Sequence, residues 1–556
     1  MPVIRALLCP VACGALPPPR AELRPLVVPA GQAGFPLLSP RETGLVFTNL
    51  LPSARYVTNQ IHLNGSGVAL GDVDGDGRCD VFLAALGRGN QLFRNLGGWR
   101  FTNITAAAGV ALAGLDCTGA AFADLDGDGD LDLVINTIGQ GTHLLLNDGA
   151  GRFTPAPGSP LNLGRGGMSL ALADADGDGL LDLYVANYRT VPASARPTPR
   201  LGGRNEEQAR MIVERVNGRP VTEPDLVGRF TLSADGRITE HGEPDVLFRN
   251  LGGGRFEPVP FTGGAFLDED GRPLREPPYD WGLSVLFRDL NGDGRPDLYV
   301  CNDFESPDRI WWNVSTNGVL RFQAAPRLAF RHTSQFSMGV DAADVDRDGH
   351  DDLFIADMLS RTHARRVTQI GDIRPQFTPA GIFQDRPQYS FNTLFHARGD
   401  GTFEDIAWYA GVAMSEWTWT AHFLDVDLDG YEDLLLTTGH ELEMMDADVA
   451  ERGEELKAQR PMSALELLRL RLLFPRLNIP NVAFRNRGDL TFEDVGETWG
   501  FALPAVSHGM AVADLDGDGD LDMVVNTLND GVFVLRNDAP APRVLVRLRG
   551  SPPNTA

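Results

Sequence analysis

Seven times along the chain, short acidic side chains recur at positions 1, 3, 5 and 9 of a nine-residue window that has glycine at position 6. The first three windows carry Asp72, Asp74, Asp76 and Asp80, then Asp124, Asp126, Asp128 and Asp132, then Asp174, Asp176, Asp178 and Asp182. The fourth has Asp289, Asn291, Asp293 and Asp297, and the fifth Asp344, Asp346, Asp348 and Asp352. The sixth has Asp425, Asp427, Asp429 and Asp433, and the seventh Asp514, Asp516, Asp518 and Asp522. Hard divalent cations want six to eight oxygen ligands, which short carboxylates supply. Position 7, occupied by Arg78, Asp130, Leu180, Arg295, His350, Tyr431 and Asp520, donates a backbone carbonyl, so its side chain is free to vary. Glycine at position 6 permits the chain to wrap the ion. The glutamate at position 12 that closes a helix-flanked calcium loop is missing, and the first window runs instead into the apolar Val81-Phe82-Leu83. Calcium is therefore expected, at up to seven sites. Magnesium fits less well because it demands a tight octahedron and keeps its waters. Asn291 lowers the charge of the fourth loop, which makes that loop the first place to look for a weak site.

The elements that hold these loops are legible on either side of them. Each window follows a short small or apolar run, such as Ala120–Ala123 or Gly509–Ala513, and precedes another, such as Leu131–Ile135 or Leu298–Val300. Both runs have the length of a strand, so the loop is a turn between antiparallel strands. A third run often ends in Asn, as in Gln91–Asn95 and Val246–Asn250, and a fourth follows a Gly-rich turn, as in Arg100–Ile104. Four strands repeating at a minimum period of about 50 residues specify a blade. The fold expected is all-β: a seven-bladed β-propeller with four-stranded blades, calcium loops between strands and partly helical insertions. Residues 1–43 are an N-terminal segment, 44–540 the ring and 541–556 a tail. The insertions fall at about 189–243, 358–388 and 439–481. Helix-like patches are expected at Glu206–Val213 and Ser463–Leu473. Gly44–Asn49 is expected to complete the last blade as its fourth strand, which would latch the ring and remove free sheet edges.

The 556 residues carry a formal net charge of −26, from 75 acidic and 49 basic residues. The seven windows hold 31 of the acidic residues, and the 44 that remain are outnumbered by the basic ones. The acidity thus belongs to the loops, and a nucleic-acid partner, which wants a basic patch, is disfavoured. Five cysteines form no disulfide framework and no zinc spacing. Cys79 and Cys117 read first as separate buried thiols, with pairing in an oxidising compartment as the alternative. The start, with Arg5 before the mostly apolar Ala6–Leu16, is a short signal-like pattern, and Pro10 argues against a lipoprotein cleavage box. No apolar run reaches the length of a transmembrane helix.

The repeats resemble FG-GAP/VCBS repeats, which also build the head propeller of integrin α chains. Three stretches resemble the ASPIC/UnbV (cartilage acidic protein-like) group: Ala356–Leu359 followed by the basic Arg361–Arg366, Thr438-Gly-His440 before a helical insertion returning at Pro480–Asn486, and His508–Asp516 running to Leu535–Asn537. The likeness spans about 44–549. It implies a secreted or surface-exposed calcium-binding protein acting in adhesion or recognition, with a small ASPIC/UnbV domain of which only the first strand, at Arg543–Thr555, is discernible.

Other motifs point less far. Two Arg-Gly-Asp tripeptides, Arg398–Asp400 and Arg487–Asp489, fall where third and fourth strands turn. Asn103 and Asn313 head glycosylation-type sequons. Tryptophans 281, 311, 312, 408, 417 and 419 are expected mainly to pack blades, with the remainder available as a carbohydrate-stacking platform. His422, His440 and His508 near strand ends have no motif that would supply a nucleophile. The function expected is a non-enzymatic, extracytoplasmic (secreted, periplasmic or cell-surface), monomeric propeller recognising a protein or glycan. The alternatives are a polysaccharide lyase or hydrolase using the channel or inserted loops, and a structural scaffold. A cluster of His, Arg or Tyr with a carboxylate at one channel mouth would favour the enzyme.

Overall fold

A computed structural model describes residues 31–543, except 191–199, 206–209, 217–218, 224–225, 233–237, 305, 317 and 370–385. The apolar runs flanking each acidic window do form antiparallel strands, and the windows are the turns between them. Seven blades result. Their first strands are Val68–Gly71, Cys117–Ala123, Gly167–Ala173, Gly282–Arg288, Gly339–Ala343, Thr418–Leu424 and Ser507–Ala513. These lie side by side in chain order, and the last returns to the first, so the ring closes. The second strands, from Asp80–Leu83 to Asp522–Thr527, are buried along their whole length on both faces, which is why they read as continuous apolar runs rather than alternating ones.

The cores lie between blades. Phe82, Leu133 and Phe153 pack blade 1 on blade 2, and Phe354, Leu434 and Phe484 pack blade 5 on blade 6. Trp281, Trp417 and Trp419 are buried with Met168 and Met338 around the axis, and Trp311 is buried in the blade 3–4 core, as blade packing requires.

The asparagine that ends a third strand adds a polar tie between blades. The side-chain amides of Asn95, Asn147, Asn250, Asn313, Asn486 and Asn537 each donate at 2.8–2.9 Å to the position-2 carbonyl of the preceding blade's loop. Those acceptors are Leu515, Val73, Leu125, Ala175, Val345 and Val426. At the remaining junction, between blades 4 and 5, the third strand ends in Ala397, which has no side-chain donor. An exposed ion pair, Arg288–Asp351, spans that junction instead.

The N-terminal segment does close blade 7, but not as a regular strand at Gly44–Asn49. The Leu38 amide donates to Val534, Val532 donates to Phe47, and Asn529 donates to Asn49. Residues 36–49 thus run along the outer edge of the three-stranded sheet of blade 7, broken in the middle by a helical turn, Pro40–Thr43. Pro at the first helical position and the Ser39–Glu42 capping box explain the break.

All three insertions leave between a second and a third strand. The third contains helices Ala447–Gln459 and Ala464–Arg469, extended by a 3₁₀ turn Leu470–Leu473, as expected for Ser463–Leu473. The helical expectation for Glu206–Val213 is not met. Residues 206–209 lie outside the described residues, and Arg210–Val216 is a strand paired with Arg200–Asn205. A short apolar run such as Met211-Ile212-Val213 carries no period that separates the two states, and its β-branched residues favour the strand. The signal-like start, and the tail beyond Arg543, lie outside the described residues.

Candidate metal centres and the insertion-bearing face

The seven loops share one hydrogen-bond plan. The position-9 carboxylate is buried and accepts two backbone amides, from position 2 at 2.8–3.3 Å and from the end of the third strand at 2.7–2.9 Å. The position-1 carboxylate accepts the amide of the position-6 glycine in every loop, at 2.7–3.1 Å. The position-5 carboxylate accepts the amide of position 7. All seven position-6 glycines are left-handed, with φ between 84° and 93°. Position 4 is left-handed as well, and there Arg347 and Leu428 take the place of glycine at φ 65° and 55°, a strained choice for a side-chain-bearing residue. The sequence reading assigned this demand to position 6 alone.

The donor set suits a hard divalent cation. Carboxylate oxygens of Asp72, Asp74 and Asp80 lie within 4.8 Å of one another, and so do those of Asp124, Asp126 and Asp132, of Asp174, Asp176 and Asp178, and of Asp344, Asp346 and Asp348. Asp427 Oδ1, at position 3 of the sixth loop, is buried without a hydrogen-bond donor. Burial, with the neighbouring carboxylates adding to it, pushes Asp80, Asp132, Asp182 and Asp297 up to about 7, Asp433 to about 8 and Asp522 to about 9.

A pH dependence follows. These carboxyls hold protons in the folded chain that they release near pH 4 when unfolded, so the folded state binds more protons between about pH 4 and the raised values. In EDTA the unfolding midpoint is expected to fall as pH rises from about 5 to about 8. Melting curves at both ends check this; a higher midpoint at the upper end would contradict it. A bound cation replaces those protons and is expected to flatten or reverse the trend.

The third strands bring residues to the loops that sequence reasoning did not pick out. Arg249 Nη2 lies 2.7 Å from Asp176 Oδ2 and 3.4 Å from Asp178 Oδ2. Arg485 Nη2 lies 2.7 Å from Asp427 Oδ2 and 3.0 Å from Asp429 Oδ2. Arg94 pairs with Asp74 and, at 3.6 Å, with Asp76. His396 Nε2 is 3.0 Å from Asp346 Oδ2. All four stand immediately before the residue that ends the third strand, so a recurring basic residue at that place was the available signal.

Successive strands alternate direction, so turns 1→2 and 3→4 emerge on one face of the ring, and connections 2→3 and 4→1 on the other. The ion loops and both Arg-Gly-Asp turns therefore share a face. In the latter, Asp400 and Asp489 accept from Thr402 and Thr491, which is turn chemistry. The three insertions share the opposite face. On that face Trp408 and Tyr409 follow the fourth strand of blade 5 with 57% and 68% of their surface exposed. Phe391 lies 5.6 Å from Trp408 and stacks on Tyr389 at 5.8 Å. His332, 3.2 Å from Asp405, and Ser390, donating to Gln335, give this aromatic patch a polar rim.

The remaining candidates are structural. Asn313 is buried with its amide spent on Ala175, which leaves no room for a glycan. Cys79, Cys117 and Cys301 are free thiols. His440 stacks on Trp417 at 4.0 Å and His508 packs at a tilt against Trp419 at 4.7 Å; burial pushes them down to about 4 and about 3, so both are neutral. His422 contacts Asp341 at 3.0 Å, and that carboxylate also accepts the Phe423 amide, tying the inner strands of blades 5 and 6. Among the described residues, no helix is long and apolar enough to cross a membrane.

Ring, repeat and loop together define a seven-bladed β-propeller. The family described as FG-GAP-like repeat matches residues 72–135, 130–185, 289–355 and 479–525. The chain is similar to cartilage acidic protein 1 of Xenopus tropicalis, 26% identical over 352 residues that are 57% of this chain and 52% of that protein. The human protein of that name is 26% identical over 350 residues, 57% of this chain and 50% of that one. The chain thus spans about half the length of these curated relatives. Of solved structures, an Agrocybe aegerita lectin described as recognising non-reducing terminal N-acetylglucosamine aligns over 85% of this chain and 94% of its own, at 15% identity and a TM-score of 0.40.

Proposed function

We propose that this protein is a calcium-binding, extracytoplasmic recognition module that takes a protein or glycan ligand on its insertion-bearing face. The observation that supports this most directly is the division of labour between the two faces. One face carries seven acidic turns of nearly constant geometry. The other carries all three insertions and the exposed aromatic patch around Trp408. Surface aromatics with a polar rim are what a recognition site needs: stacking area at low entropic cost, and hydrogen bonds that set orientation. The calcium loops then serve the ring, because ion binding that requires the folded loop adds to folding stability. The enzyme reading expects a cluster of His, Arg or Tyr with a carboxylate at one channel mouth; a grouping of that composition, His62 and Arg55 on Asp116, exists, and the turnover assay tests it. His440 and His508 are buried against tryptophans, and Asp341 is engaged between strands.

The calcium-loaded chain is to be screened against immobilised glycans and extracellular protein fragments. Replacing Trp408 and Tyr409 together with Ala is expected to weaken capture of the best ligand by on the order of tenfold or more, with the melting curve unchanged. Ligand capture that survives this double substitution intact would move the site elsewhere. Turnover of a polysaccharide would replace the reading by the enzymatic one.

A further inference from the structure

The seven loops are alike in backbone and unlike in what their carboxylates face. In blades 1, 3 and 6 the residue before the terminal Asn of the third strand is Arg94, Arg249 or Arg485. Its guanidinium spans the position-3 and position-5 carboxylates. The Asp176 side chain that Arg249 meets is fully buried. In blade 2 the same place is held by Leu146 and in blade 4 by Trp312, and neither brings charge to its loop. The second loop is the extreme case, with Asp at positions 1, 3, 5, 7 and 9. No ion pair is formed there among the described residues.

We infer that Arg94, Arg249 and Arg485 are resident counter-cations that let loops 1, 3 and 6 fold without a divalent ion and bind calcium weakly, while loop 2 depends on the ion. This deepens the calcium-binding reading above and rests on it. The physical reason is competition for the same oxygens. Each of these arginines neutralises about one of the charges that a divalent ion would otherwise have to itself: its guanidinium stands against the position-3 carboxylate, and in loops 3 and 6 it donates to position 5. In loop 2 five carboxylates crowd together with only backbone amides to stabilise them, and mutual repulsion opposes folding until a cation arrives. The sequence motif alone gives seven equivalent sites; the third-strand residue divides them except in blade 7, where Arg536 at that place pairs with Asp538 and Arg543 meets Asp518 and Asp520.

The test is calcium titration of the full metal-stripped chain by calorimetry, with equilibrium dialysis to count ions. Fewer than seven tight sites are expected. Arg249→Leu is expected to convert a weak site into one tighter by at least about tenfold. The reciprocal change, Leu146→Arg, is expected to remove one tight site from the count. Seven equal sites in the parent chain, or counts that neither substitution moves, would overturn the inference while leaving calcium binding in place. No calcium bound at all would instead overturn the underlying reading. Should Leu146→Arg fail to fold, the parent count and Arg249→Leu still decide the matter.

Discussion

Chelation with EDTA is expected to lower the thermal unfolding midpoint of this protein by roughly 10 °C. The size follows from linkage. An ion that binds only the folded loop adds about 2.7 kcal/mol when its concentration is a hundredfold above its dissociation constant. Three tight sites then contribute about 8 kcal/mol. A ring of this length has an unfolding entropy near 1 kcal/mol per degree, so each kcal/mol moves the midpoint by about 1 °C. Magnesium added back in place of calcium is expected to restore only part of the loss, because it keeps its waters. Differential scanning calorimetry with calcium, with EDTA and with EDTA followed by excess calcium separates these cases. A midpoint indifferent to chelation would show that the loops stand on their hydrogen bonds alone.

Asp132→Ala is expected to be the most damaging single change in the second loop, at about 2–6 kcal/mol even without calcium. The Asp132 carboxylate is fully buried and accepts the amides of Leu125, at 2.8 Å, and Asn147, at 2.8 Å. Removing it leaves two buried donors without partners, each costing about 1–3 kcal/mol. Asp132→Asn keeps one acceptor oxygen and the shape, and should recover about half of the loss in EDTA while still weakening calcium. Asp128→Asn is the control. Its carboxylate sits in an exposed turn and supports only the Asp130 amide, so the change should cost little in EDTA and matter only when calcium is present. Urea unfolding of the three variants, with and without calcium, reads the difference. Equal losses for Asp132→Ala and Asp128→Asn in EDTA would contradict the separate roles assigned to positions 9 and 5.

The ring was legible because its information is periodic. Seven acidic windows at matching places between apolar runs leave little choice but turns between strands, and the breaks in the period gave the three insertions. What stayed hidden depends on contacts between repeats. The Asn ending a third strand looked like a strand terminus; only the neighbouring blade shows that its amide reaches the preceding loop. Its signal was present, since Asn95, Asn147 and Asn537 each stand fifteen residues beyond the position-9 aspartate that accepts their own amide. Arg94, Arg249 and Arg485 were hidden for the same reason: a strand pattern assigns a polar residue to the outer face without saying what lies there. The N-terminal closure was foreseen in place but not in form, because Ser39, Pro40 and Glu42 impose a helical turn where an unbroken strand was expected. On the aromatic residues, composition could not separate buried Trp417 from exposed Trp408; burial in the assembled ring decides it.

Ala397, at the end of blade 5's third strand, gives the ring a seam. Six junctions carry an amide that holds each loop to the next blade, and the seventh carries an exposed ion pair, which is worth little in salt. The boundary between blades 4 and 5 thus trades the repeated amide for other holds: the Ser337 hydroxyl donates to Asp308 at 2.9 Å, and Tyr299, Phe330, Phe395 and Phe403 pack across it.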